Sequence, residues 1–158
     1  MTRALAILVV GATLLITGYG LLPVFSARQP APAPDLAAID PFLEKLAAQA
    51  AAYGQGETED GIPIVQPPPG PVYVVAQRFQ FSPVLVLKAG ATYDLRVMSA
   101  DVMHGLAIPK LGIGETLIPG REVASPLTPT AGVDLQIRCM EYCGLDHSRM
   151  GGEIRVIE

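Results

Sequence analysis

Val133-Asp134-Leu135-Gln136-Ile137-Arg138-Cys139 runs straight into Met140-Glu141-Tyr142-Cys143-Gly144-Leu145-Asp146-His147-Ser148-Arg149-Met150. The first seven residues alternate between apolar and polar without a break, which is the two-residue period of a half-buried strand. Val133, Leu135, Ile137 and Cys139 therefore share one face, and a core-facing strand delivers Cys139 to its end already directed inward. The twelve residues from Cys139 to Met150 hold both cysteines of the chain, one of its two histidines and two of its five methionines. Cys139, Cys143, His147 and Met150 follow one another at spacings of four, four and three, and Gly144 permits the tight turn that a loop wrapping a metal requires. The other histidine, His104 in Asp101-Val102-Met103-His104-Gly105, has to come from a second loop at the same pole, after a strand ending near Met98.

Outward from this stretch the strand-like period continues in both directions. Val72–Ala76 with Arg78–Phe81 reads as one strand, interrupted or bent, that stops at Ser82-Pro83. Val84–Leu87, Thr92–Met98, Leu106–Pro109, Glu115–Ile118, Glu122–Ser125 and Glu153–Ile157 complete the set, separated by turns such as Lys88-Ala89-Gly90 and Pro119-Gly120. So many short strands between glycine and proline turns predict an all-β domain, a β-sandwich or barrel, over residues 71–158.

Ahead of that domain, residues 28–70 read as a proline-rich linker with a short helix. Pro30, Pro32 and Pro34 make a semi-rigid extended spacer. Asp40-Pro41 reads as an N-cap followed by proline at the first helical position. Phe42, Leu43, Leu46 and Tyr53 form a weak apolar stripe before a stop at Gly54. Gln55 to Gly70, acidic and then proline-rich, reads as the boundary. Residues 1–27 carry the hydrophobic excess, because Ala4 to Phe25 contains no charge. As a helix that run spans roughly 33 Å at 1.5 Å per residue, enough for a bilayer core. Its length favours one retained transmembrane helix over a cleaved signal peptide, whose apolar region is shorter. Such an anchor puts the protein in a cell (inner or plasma) membrane as a single-pass chain with its folded domain on the extracytoplasmic side.

The net charge is −4, but Pro71 to Glu158 balances eight Lys/Arg against nine Asp/Glu. A nearly neutral domain argues against nucleic acid as a partner and against strong steering of a basic one. Two cysteines in an exported domain ordinarily suggest a disulfide. A bridge closing so small a loop contributes little, because the gain grows with loop length. Soft thiolates, imidazoles and a thioether suit copper instead. A one-copper blue site uses two His, one Cys and an axial Met, and here one cysteine is left over. Two thiolates bridging two copper ions account for every donor. Four-coordinate zinc held by Cys139, Cys143, His104 and His147 is chemically reasonable as well, and leaves Met150 unexplained. Asp101 and Asp146, next to ligands, are candidates to accept imidazole N–H groups, or else solvated loop carboxylates. Met98 reads as packing, Met103 and Met140 as candidates for an exposed surface, and Tyr142 as a neighbour of the site.

Cys-x-Glu-x-Cys-Gly-x-x-His-x-x-Met, preceded by Asp-Val-x-His-Gly, resembles the CuA site of cytochrome c oxidase subunit II, over about Val72 to Glu158. The resemblance implies a cupredoxin-like Greek-key fold and a binuclear CuA centre bridged by Cys139 and Cys143. His104 with Met150 would complete one copper, and His147 with the main-chain carbonyl of Glu141 the other. It implies an electron-entry subunit of a proton-translocating haem-copper terminal oxidase. Such a subunit accepts electrons from a c-type cytochrome or small cupredoxin and passes them to haem in subunit I, where oxygen is reduced. In some members the equivalent of Glu141 also binds magnesium at the subunit I interface. One expected span resembles the compact B-family (ba-type) oxidases, and the chain lacks the tryptophan that many members carry where electrons enter. Its counterpart stretch here is Arg78-Phe79-Gln80-Phe81-Ser82. Two alternatives stand beside this reading: the copper subunit of a nitric oxide reductase, and a membrane-anchored copper carrier or assembly protein.

Overall fold

A computed structural model describes residues 32–158. The expected membrane anchor, residues 1–27, lies outside the described residues. Among those described, no helix is long and apolar enough to cross a membrane.

The first regular element is a helix, α1 (Ile39–Tyr53), entered through a 3-10 turn over Leu36–Ala38. It begins earlier than the sequence suggests, with Ala38 rather than Asp40 at the N-cap and no side-chain cap. Asp40 instead places its carboxylate in the first turn, where the helix dipole favours negative charge. Pro41 falls among the first-turn residues whose N–H groups have no intrahelical partner, so its missing donor costs nothing there. The helix stops at Gly54, which turns extended (φ −62°, ψ 137°) and where a Cβ would stand 2.7 Å from the Ala50 carbonyl oxygen.

Eleven strands follow among the described residues: β1 (Gly54–Glu57), β2 (Pro63–Val65), β3 (Gly70–Gln77), β4 (Gln80–Ser82), β5 (Val84–Lys88), β6 (Tyr93–Ser99), β7 (His104–Ile108), β8 (Ile113–Leu117), β9 (Val123–Leu127), β10 (Leu135–Cys139) and β11 (Gly151–Ile157). Hydrogen-bonded neighbours run β4-β3-β6-β9 on one side and β1-β2-β5-β11-β10-β7-β8 on the other. A single pairing, Gly151 with Gln80, joins β11 to β4 between them. The all-β expectation holds. Two strands, however, occupy residues expected to be boundary. β2 pairs in parallel with β5, and Val65 is fully buried in the core. A strand of three residues opening on proline carries no local signal, because a long-range pairing makes it a strand.

The stretch expected to be one bent strand is instead a reversal. β3 and β4 are antiparallel, with Val75 opposite Ser82 and Gln77 opposite Gln80, and the chain turns at Arg78–Phe79. Pro126 lies inside β9, which is tolerated because β9 pairs only with β6 and leaves its other edge unpaired.

The helix covers one face of β3 and β6. Phe42, only 2% exposed, joins Val75 and Met98 in a second cluster flanked by Leu43 and Leu46. Burying one Phe side chain contributes roughly 1.5–3 kcal/mol. Tyr53, expected in the stripe, is exposed, and Ala50 packs inward instead. Gln49 is the element that pattern reading overlooks. Its amide donates to the Tyr73 carbonyl (2.9 Å) and accepts from the Tyr73 N–H (2.8 Å), acting as a one-residue strand on the edge of β3 that β4 leaves open. The chain entering the helix is also held down. Asp35 N–H donates to Pro119 O (3.0 Å), Arg121 Nε donates to Ala33 O (2.6 Å), and only glycine fits at Gly120, where a Cβ would collide with Asp35 O.

Candidate metal centre

β10 sets the phase of the site. Leu135, Ile137 and Cys139 are buried while Gln136 and Arg138 are exposed, so the alternation read from sequence does carry Cys139 into the core. Beyond Cys139 the loop leaves the strand and returns to it. Cys139 N–H donates to Met150 O (3.3 Å), closing the loop at its base. Within it His147 N–H donates to Gly144 O (3.1 Å) and Met150 N–H to His147 O (3.1 Å), which winds a 3-10 turn over His147–Arg149. Gly144 has φ 139°, a backbone conformation that L side chains avoid, and this turn lets Cys143 face back toward Cys139.

His104 arrives from the neighbouring strand. It is the first residue of β7 rather than part of a free loop, and it is fully buried. β7 pairs with β10 through Leu106 opposite Cys139, and Met140 N–H donates to Gly105 O (3.2 Å). Gly105 is required by this crossing, since a Cβ would stand 2.9 Å from the backbone nitrogens of both Met140 and Glu141.

The donors converge. The two sulfurs lie 4.0 Å apart, both at least nine-tenths buried and not disulfide-bonded. On one side Cys139 Sγ is 3.7 Å from His104 Nδ1 and 3.2 Å from the Glu141 carbonyl oxygen. On the other, Cys143 Sγ is 3.6 Å from His147 Nδ1 and 3.5 Å from Met150 Sδ. One ligand atom each from His104, Cys139 and Cys143 fits within 4.8 Å of the others. All six residues singled out from sequence therefore come together, Glu141 through its main chain.

Burial pushes the Cys143 thiol up, and the neighbouring Cys139 sulfur pushes it further. A soft cation held by Cys139 and Cys143 would take the sulfurs as thiolates, displacing any thiol proton to solvent. Asp101 serves as the imidazole's partner, with Oδ1 2.8 Å from His104 Nε2. Partial burial works to raise its carboxyl. Hydrogen bonds from His104 and from the N–H groups of Arg78 and Val102 outweigh that and hold it below the ordinary carboxylate value. With Nε2 committed to the carboxylate, the Nδ1 lone pair is left facing the sulfurs, the arrangement that metal-binding histidines use. Asp146 has no such role. It is exposed, 3.9 Å from Arg149. His147 is partly exposed and its ring sits 5.9 Å from that of Tyr142. Tyr142, Leu145, Met140 and Met103 stand largely exposed around the site, while Met98 is buried under α1.

Sequence reading left one pair of contacts unseen. Arg78 donates from its N–H to Asp101 Oδ2 (3.0 Å) and from Nε to Cys143 O (2.8 Å). Nothing local to Arg78 signals either, since the partners lie 23 and 65 residues away.

Two thiols, two imidazoles, a thioether and a carbonyl on a cupredoxin-like β-sandwich define a copper-binding domain of the type that carries electrons. Comparison with known proteins agrees on the family. The family model for the periplasmic domain of cytochrome c oxidase subunit II matches residues 76–157, and the chain belongs to that family. A cytochrome c oxidase subunit 2 from Thermus thermophilus is 33% identical over 88 residues, covering 55% of this chain and 65% of that one. The alignment thus spans less than two-thirds of that relative's length. Among solved structures, the periplasmic domain of cytochrome oxidase subunit II from Bradyrhizobium japonicum superposes with a TM-score of 0.52 at 21% identity, covering 56% of this chain and 83% of that one. A chain from the cryo-EM structure of a haem-copper terminal oxidase dimer gives a TM-score of 0.53 at 20% identity, covering 95% and 96%. At such identities the superpositions speak for the fold alone.

Proposed function

We propose that this chain is the electron-entry subunit of a haem-copper terminal oxidase, working through a binuclear copper centre. The observation that carries the reading is the pair of buried sulfurs 4.0 Å apart with one imidazole Nδ1 beside each. Cys139 and Cys143 would hold two coppers in common, His104 and His147 would bind one each, and Met150 and the Glu141 carbonyl would supply weaker donors. Bound there, the copper pair supplies a one-electron relay. The chain's own part is to hold the ligands rigid and keep water away, so that little reorganises when an electron passes. Full burial of His104 and its link to Asp101 support that part.

Electrons come from a c-type cytochrome or small cupredoxin and leave to haem in a separate subunit I. Met103, Met140, Tyr142 and Leu145 put exposed apolar side chains on and beside the ligand loop, next to the exposed Asp146–Arg149 pair, which suits a donor that docks largely by apolar contact. Residues 1–27 would anchor the chain as a single span, and the copper domain on the extracytoplasmic side comprises 71–158 together with the helix and two strands between 39 and 65 that pack onto it. A groove of about 690 Å³ lined in part by Glu115, Thr116 and Glu141 suits the contact with subunit I, where magnesium would bind. A copper carrier needs an exposed, exchangeable site, and burial of both sulfurs opposes that reading.

Copper analysis and electron paramagnetic resonance of the full chain test the proposal. Two coppers per chain with a seven-line mixed-valence signal are expected. A four-line signal, or zinc, would sink it. Copurification of a haem-bearing multi-span subunit separates oxidase from carrier, and turnover with oxygen against nitric oxide separates the oxidase from a nitric oxide reductase.

A further inference from the structure

The turn between β3 and β4 contributes no ligand, yet it touches both halves of the site. Asp101 binds the Arg78 N–H through Oδ2 at 3.0 Å and the His104 ring through Oδ1 at 2.8 Å. The guanidinium of the same Arg78 donates from Nε to the carbonyl of Cys143 at 2.8 Å. Next to it, the ring of Phe79 lies 3.0 Å from where a Cβ on Gly144 would stand, so ring and turn are in close contact only because residue 144 is glycine. Two adjacent residues thus reach the segment that carries His104 and the turn that carries Cys143.

We propose that Arg78 is a positioning and tuning residue of the metal centre, with the Arg78–Phe79 turn clasping the His104 segment to the Cys143–Gly144 turn and the guanidinium holding a positive charge against the Cys143 carbonyl. The inference rests on the binuclear copper reading above. Its physical basis has two parts. The ligands come from two segments far apart in the chain, and their separation is set by whatever both segments touch. The oxidised centre carries one more positive charge than the reduced one, so a fixed cation beside it disfavours oxidation and raises the potential. Solvent around the exposed Arg78 attenuates this effect without cancelling it, because the contact to the carbonyl is direct and charge-assisted.

Arg78→Lys keeps the charge and loses the planar donor, Arg78→Gln keeps a donor and loses the charge, and Arg78→Ala loses both. On the full chain purified in detergent, each is measured for copper per chain, mixed-valence hyperfine pattern, midpoint potential, copper loss to a chelator and melting of the metal-free protein. Arg78→Gln and Arg78→Ala are expected to lower the midpoint potential, with Arg78→Lys restoring most of it. Arg78→Ala is also expected to shift the hyperfine pattern and speed copper loss several-fold. Wild-type potential, spectrum and loss rate in all three variants would overturn the inference, even if melting temperatures fell, because that pattern is ordinary loss of a surface contact. If any variant does not fold, the other two still decide the charge question. Failure of the binuclear reading itself shows earlier and separately, as a wild-type chain without two coppers.

Discussion

Replacing Gly105 by alanine adds one methyl group where β7 and the start of the ligand loop cross. The added Cβ would stand 2.8 Å from the Met140 Cβ and 2.9 Å from the nitrogens of Met140 and Glu141. Two of those three atoms are backbone, so rotamer change cannot relieve the contact. The loop must move away, and with it go the Met140 N–H to Gly105 O hydrogen bond and the Glu141 carbonyl beside Cys139. Overpacking of this kind costs about 1–3 kcal/mol and the lost hydrogen bond about 1 kcal/mol more, for roughly 2–4 kcal/mol in all. For a unit of this size that corresponds to a fall in Tm of roughly 8–16 °C. Gly114 on the adjacent strand β8 is the matched control, because a Cβ there meets nothing within 4 Å. Circular dichroism melts of the metal-free full chain, followed by copper titration, make the comparison. Gly105→Ala should melt well below wild type and hold copper poorly, and Gly114→Ala should match wild type. Equal melts for the two variants would refute the claim that the crossing at Gly105 sets the position of the loop.

Three other outcomes follow from the same geometry. Cys143→Ser should abolish the mixed-valence spectrum, whereas Met150→Leu should keep both coppers and shift their potential; a mixed-valence signal surviving in the serine variant contradicts bridging by both sulfurs. Gln49→Leu should cost about 2–4 kcal/mol in urea unfolding, since it strips partners from both the N–H and the carbonyl of Tyr73, and a loss below about 0.5 kcal/mol would mean that water replaces the amide freely. Asp101, whose carboxyl sits below its ordinary 3.8 in the folded chain, contributes stability that is complete above that value and drains away as pH falls through the folded value. Acid unfolding of the metal-free protein should therefore be shallower in Asp101→Asn than in wild type, and identical acid profiles would remove the carboxylate from the account.

The cluster of donor side chains was legible because its signals are local. Strict alternation from Val133 to Cys139 fixes which face Cys139 occupies, and the spacing of Cys143, His147 and Met150 is that of one loop. His104 was legible by elimination, being the other histidine, although its place as the first residue of β7 was not. The all-β class was equally open to reading, since a two-residue period needs only neighbouring residues. β1 and β2 were hidden because their pairing, not their composition, makes them strands. Gln49 was hidden for a related reason, as a buried glutamine within an alanine-rich helix has meaning only once Tyr73 is opposite it.

By itself the sequence determined the period of each strand, the inward direction of Cys139 and the chemistry of the donors, all properties of residues within a few positions of one another. Tertiary structure alone decided that β3 and β4 reverse at Arg78 rather than bend, and so brought Arg78 and Phe79 against Asp101, Cys143 and Gly144. Those contacts span up to 65 residues of chain. Their formation depends on how the two halves of the sheet close on one another, which no local pattern encodes.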